Sequence, residues 1–146
     1  MILLGLKNTT TQTIPAEGLI DFGTVYRKYI ARGYANSCLD TSSTTAPTLA
    51  QKGMYHITVT VTFTADAAGD VTLQLLENSI PVPGAISVET VTTADTQVIT
   101  TTFDYIVLVS CANVLGTFST QAKSISVQSD SAIEVTNAVI NIVKEV

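Results

Sequence analysis

Acid-base or metal chemistry near neutral pH would have to run through one imidazole, because His56 is the only histidine among the 146 residues. Its stretch reads Met54-Tyr-His-Ile-Thr58, and no Cys, Asp or Glu stands at the two- or four-residue spacing that builds a metal-binding pair. Nucleophilic triads meet the same bottleneck. Serines are plentiful, but none lies in a Gly-x-Ser-x-Gly elbow, and His56 is the sole base any of them could use. Phosphate-cradling loops of the Gly-x-Gly-x-x-Gly or P-loop type are also missing. Asp66 and Asp70 flank the segment Asp-Ala-Ala-Gly-Asp and could offer oxygens to calcium. That ion takes six to eight oxygens, so two aspartates read first as turn-shaping, solvated residues. Paired carboxylates for sugar chemistry lack the usual aromatic platform, since the chain has no Trp. The expectation is a protein that is not an enzyme and needs no cofactor or metal.

Charge narrows the partners. A net charge of −5 opposes attraction to phosphate backbones and anionic lipid, so neither nucleic acid nor membrane is expected as a partner. Three of the seven basic residues, Arg27, Lys28 and Arg32, cluster among Tyr26, Tyr29 and Tyr34. Such a patch either docks on an acidic protein surface or protects a strand edge from unwanted pairing. The opening Met-Ile-Leu-Leu-Gly-Leu-Lys lacks a positive n-region and its apolar run stops at Lys7, which points to synthesis in a cytosol. Cys38 and Cys111 are then expected as free thiols.

The elements that must position these residues are strands. Tyr55, Ile57, Val59, Val61, Phe63 and Ala65 alternate with His56, Thr58, Thr60, Thr62 and Thr64, the pattern of a strand with one buried face. After the Asp66–Asp70 turn, alternation resumes with Val71, Leu73 and Leu75. A second turn at Glu77-Asn-Ser79 leads into Ile80-Pro-Val-Pro-Gly84, whose prolines confine it to an edge or a loop. Further strands are expected over Leu19–Phe22, Val25–Ile30, Ile86–Val91 and Gln97–Val109, the last with a bend or bulge partway. Cys38 to Pro47 reads as loop. The final run from Ile133 changes phase at Asn137 and then places apolar residues on both faces, as in a strand covered on both sides. Length and composition, 46% apolar and 13% charged, fit one all-β domain, a two-sheet antiparallel sandwich.

Three stretches carry a family likeness. Gly53-Met-Tyr-His-Ile-Thr-Val-Thr-Val-Thr-Phe63, Gly69-Asp-Val-Thr-Leu-Gln-Leu-Leu-Glu-Asn78 and Ile80-Pro-Val-Pro-Gly84 together resemble the C1q and tumour-necrosis-factor-like jelly rolls. Phe22–Lys28 is similar to their opening region, and Val135–Lys144 to their closing strand. The resemblance implies a homotrimer and, in its bacterial and phage versions, a head-fibre or capsid-decoration protein. Ser79 stands where the family's turn usually has glycine, and there is no collagen-like stalk, so complement and receptor-ligand roles are not carried over.

The reading that follows is a trimeric structural protein on the exterior of a virion, partnered by itself and by a major capsid or other virion protein. The alternative is a trimeric adhesin or fibre tip that binds a glycan or protein of a host cell surface. Residues 1–21 are expected to form an anchoring arm and 22–146 the jelly roll. Anchoring to the capsid then falls to Ile2, Leu3, Leu4 and Leu6 with the Arg27, Lys28 and Arg32 patch. The strand register itself is open to test. Val59→Asp or Val61→Asp is expected to abolish soluble protein, at a cost of several kcal/mol for a carboxylate entering the core. Thr60→Asp, on the other face, leaves the chain folded with a nearly unchanged urea midpoint.

Overall fold

The computed structural model describes residues 2–30, 39–114 and 117–145, which hold thirteen strands and no helix. In chain order these are β1 (Ile2–Asn8), β2 (Gln12–Ile14), β3 (Thr24–Ile30), β4 (Leu39–Asp40), β5 (Thr48–Leu49), β6 (Gly53–Ala65), β7 (Gly69–Glu77), β8 (Ile80–Val91), β9 (Ile99–Val109), β10 (Cys111–Val114), β11 (Thr117–Thr120), β12 (Lys123–Ser129) and β13 (Ile133–Lys144). Two antiparallel sheets face each other. One runs β3-β1-β13-β6-β9, with β2 continuing alongside the start of β13, and the other runs β4-β5-β12-β7-β8. Among the described residues, strands β10 and β11 pair only with each other.

Alternation along β6 does what its period requires. Tyr55, Ile57, Val59, Val61, Phe63 and Ala65 are all buried, while the interleaved His and Thr residues turn to the other face. Opposite them, Val71, Leu73 and Leu75 of β7 and Ile125 and Val127 of β12 close the same core from the second sheet. Burying each such side chain contributes about 1.5–3 kcal/mol, so this layer is the main source of stability.

Among the described residues strand β8 pairs with β7 alone, at a sheet edge, which is where Pro81 and Pro83 can sit without missing a ladder partner. The β7–β8 connection is a two-residue turn with Asn78 at φ 50° and Ser79 at φ 65°. Both residues occupy the left-handed region, as a type I′ hairpin turn requires. The Asn78 side chain fastens the turn to β12 by accepting from the Ser124 backbone N–H at 2.9 Å.

At the other end of the chain, β13 shifts register between Val135 and Asn137, the phase change expected from the sequence. Past this bulge Ala138, Ile140 and Ile142 face the core, and Val139 and Val143 face outward, half-buried. The expected strand over Leu19–Phe22 is present only as an isolated bridge, Leu19↔Gln128. Strand β9 pairs with β6 from Gly53↔Val109 to Phe63↔Ile99 without a register shift, so its length needs no bulge partway. Within the expected loop from Cys38 to Pro47, Leu39–Asp40 forms a short strand against Thr48–Leu49.

The largest correction concerns the amino terminus. No boundary falls between residues 21 and 22, because β1 lies inside the first sheet, hydrogen-bonded to β13 on one side and to β3 on the other. Ile2, Leu4 and Leu6 are 0%, 1% and 0% exposed and belong to the core, so they cannot also form an exposed anchor. Leu3 points to the opposite face. Leu4→Asp is therefore expected to lower stability by about 3–5 kcal/mol in a urea titration, and Leu3→Asp, on the other face, to cost less.

Candidate functional site

Residues of the first sheet that point away from the second sheet form one broad outer face. Its middle is lined by hydroxyls. Thr60 and Thr62 of β6 stand directly opposite Thr102 and Thr100 of β9, and their Oγ1 atoms are 3.0 and 2.9 Å apart. Threonine suits both tasks here, since its branched Cβ favours the pleated backbone and each hydroxyl finds its partner sideways. On β13, Val139 stands between Thr60 of β6 and Lys7 of β1, and Val143 between His56 and Leu3. Beyond the threonines β9 ends in Ile106 and Leu108, which are 55% and 62% exposed. Leu108 and Met54 also line an open apolar depression of about 370 Å³ between the ends of β6 and β9, bordered by Lys52, Gly53, Val109 and Ser110.

On the far side of the face, a tyrosine lies across the sheet. The ladder between β1 and β3 shifts after Gly5, and Tyr26 at this irregularity reaches over β1 to donate its hydroxyl proton to Asn141 Oδ1 of β13 at 2.7 Å. Gly5 makes room for the ring, because a Cβ there would sit 2.7 Å from Tyr26 Cε1 and 2.9 Å from Asn141 Oδ1. Lys7 Nζ and the Arg27 guanidinium each lie 5.6 Å from the centroid of the same ring, within range of a cation–π attraction.

The basic patch expected from the sequence is thus divided. Arg27 shares the outer face with Gly5, whereas Lys28 pairs with Leu4 and takes the opposite side of the edge strand. Arg32 lies outside the described residues, as do Cys38 and the Cys111 side chain.

His56 acquires partners that sequence spacing does not show. Its Nε2 is 2.9 Å from Asp104 Oδ2 on β9, and its Nδ1 is 3.9 Å from Glu145 Oε1 just past β13. Glu145 is held there by its backbone N–H, which donates to Met54 O at 2.9 Å. The signal for Asp104 was available in the alternation of β9. If Phe103 and Tyr105 face inward, Asp104 must join the face that carries His56.

Other carboxylates gather away from this face. Glu17, Asp66, Asp95 and Asp130 stand in loops at one end of the sandwich, brought together by the bonds Glu17 N–H to Ser129 O, Asp66 N–H to Ala132 O and Asp95 N–H to Ala65 O. Asp130 caps its turn by accepting from the Thr72 backbone N–H and the Ser131 hydroxyl, and Asp70 accepts from the Thr90 hydroxyl. Asp66 and Asp70 do not join a third ligand, and among the described residues no three His, Cys, Asp or Glu side chains converge on one point. Asp40 is held below its ordinary carboxylate range by the Ser42 backbone N–H and then by the Ser42 hydroxyl.

No known protein family matches the sequence, and no curated protein does. Solved structures match along the whole chain. The globular domain of zebrafish complement 1qA is similar with a TM-score of 0.60 at 10% identity, over 100% of this chain and 98% of that one. Eiger TNF from S. frugiperda gives a TM-score of 0.63 at 11% identity, over 99% and 92%. The fold is a C1q/TNF-like jelly roll. The PRD1 vertex protein P5 is similar too, with a TM-score of 0.53 at 23% identity over 97% of this chain and 93% of that one.

The Tyr26 bridge gives this jelly roll's outer face a direct test. Gly5→Ala is expected to displace the ring and cost about 1–3 kcal/mol, the range for overpacking a fitted site. Adding Tyr26→Ala to Gly5→Ala should recover part of that loss, so a double-mutant cycle read by urea titration gives a coupling of at least about 0.5 kcal/mol.

Proposed function

We propose that this chain is a structural protein of a phage virion, a homotrimer whose subunits meet through the outer face of the first sheet and stand on the exterior of the capsid. The observation that carries this reading is the near full-length likeness to a PRD1 vertex protein, at about twice the identity of the animal jelly rolls. The surface agrees with it. The outer face is broad and mostly uncharged in its middle, with paired threonine hydroxyls and half-buried valines, whereas four carboxylates are placed in loops at one end. A face of that kind is suited to contact with another copy, because its polar groups already have partners and lose little when water is excluded.

Attachment to the capsid cannot use Ile2, Leu4 and Leu6, whose side chains are inside the fold. Lys28, exposed on the edge strand β3, is the described part of the expected anchor that remains free of the core and of the outer face. It supports a contact with an acidic capsid surface.

Sedimentation equilibrium tests the assembly. The wild-type chain is expected at three times its 15.4 kDa monomer mass. Val139→Arg in the middle of the outer face yields folded monomer, and Ile86→Arg on the second sheet leaves the mass unchanged. Cosedimentation with capsids stripped of exterior proteins tests the location. Binding that Lys28→Glu weakens severalfold supports the proposal, and a trimer that ignores capsids but binds host cells turns the reading to an adhesin.

A further inference from the structure

We infer that β3 is an open edge that takes up an extended acidic segment of a partner protein as a further strand of the first sheet. This gives the Lys28 contact proposed above a geometry and rests on that reading.

Backbone exposure singles the strand out. Strand β3 is seven residues long, none of them buried, and among the described residues it pairs with β1 alone. The far side of its backbone therefore presents N–H and C=O groups with no strand opposite, a template for strand addition. The other described edges are blunted. In β8, Pro81 and Pro83 lack donors, and β8 approaches β9 along one side of the sandwich, where the Ser87 and Thr101 hydroxyls meet. Strands β2, β4, β10 and β11 are three, two, four and four residues long and offer few bonds each.

Charge selects the occupant. Arg27 and Lys28 are adjacent in the middle of β3 and take opposite faces of the edge, Arg27 paired with Gly5 on the outer face and Lys28 with Leu4. Lys7 adds a third cation on β1, and among the described residues none of the three forms an ion pair. Lys7 Nζ and the Arg27 guanidinium both stand 5.6 Å from the Tyr26 ring, itself fixed by its bond to Asn141. A second copy of β3 is a poor occupant, because symmetric antiparallel pairing about the strand's middle residue sets Arg27 against Arg27. A strand with two adjacent carboxylates meets a cation on each face instead. Val25 and Tyr29, 41% and 55% exposed and on opposite faces, give it apolar surface to cover beside those charges.

The probe is the peptide acetyl-Thr-Val-Thr-Glu-Glu-Thr-Val-Thr-amide, added to the full chain and followed by NMR and amide hydrogen exchange. Alternate amides of β3, those directed away from β1, are expected to slow in exchange at least about tenfold at saturating peptide. An added strand turns only one alternate set of its own nitrogens toward β3. Of two peptides N-methylated on one set or the other, one is therefore expected to bind at least about tenfold more weakly than its counterpart. Replacing both glutamates by lysine abolishes binding, and Arg27→Glu or Lys28→Glu weakens it severalfold. No binding of the acidic peptide, equal binding by the two methylated forms, or equal competition by polygalacturonate overturns strand addition. Lys28-dependent cosedimentation with capsids would then leave the attachment reading standing. Strand addition by the peptide in a chain that ignores capsids supports the open edge and overturns the attachment.

Discussion

The fold hangs on the ladder between its first and last strands. Strand β13 pairs with β1 from Ile2↔Lys144 to Asn8↔Ala138 and with β6 on its other side from Ile133↔Ala65 to Lys144↔Tyr55. A strand hydrogen-bonded on both sides, with one face in the core and the other partly covered, has no place for polar side chains except short ones. Between its bulge and its last residue, Lys144, β13 obeys this with Ala138, Val139, Ile140, Asn141, Ile142 and Val143. Because β13 is the last strand of the sheet in the chain, the first sheet is complete only when residues more than a hundred positions apart have met. Such long-range pairing favours slow, cooperative folding over stepwise growth from one hairpin.

The bulge between Val135 and Asn137 follows from that position. Ahead of it β13 pairs with β2 and β6, and after it with β1 and β6, so the strand must serve two partners on one side without losing its inward residues. One extra residue resets the alternation. Val135 and Ala138 both face the core across the shift, and Asn141 is delivered to the outer face, where it receives the Tyr26 hydroxyl. The irregularity in β13 and the one in the β1–β3 ladder thus cooperate to hold a single aromatic ring over Gly5.

Much of this was legible in the residues. The strict alternation of β6, the phase change at Asn137 and the prolines of β8 each name their structural role, because period and missing donors are local properties. The amino terminus was misread for a related reason. Ile2, Leu4 and Leu6 do alternate with Leu3, Gly5 and Lys7, but Leu3 blurs the pattern into an apolar run. The strand that covers it lies at the far end of the chain, where no window of neighbouring residues reaches. His56 and Asp104 illustrate the same limit, since they are 48 positions apart in the chain and diagonal neighbours in the sheet. The turn at Asn78-Ser79 shows the opposite case. Its departure from glycine was visible, and the φ of 65° at Ser79 shows that the hairpin keeps its geometry at a local backbone cost of about 1 kcal/mol.

Under the proposed self-association, the threonines of the outer face suit both the free and the assembled subunit. A sheet of valines exposed on a free subunit would be an aggregation surface, because an apolar strand face without charge pairs readily with any other. Charged residues would prevent that but would resist burial between copies. Threonine keeps the branched shape of valine and adds a hydroxyl that water can solvate in the free subunit. When water leaves, Thr60 and Thr62 retain their bonds to Thr102 and Thr100, so no polar atom of these pairs loses its only partner. The same logic sets His56 apart. It stands where that face turns from hydroxyls to carboxylates, its Nε2 2.9 Å from Asp104 Oδ2 and its Nδ1 3.9 Å from Glu145 Oε1.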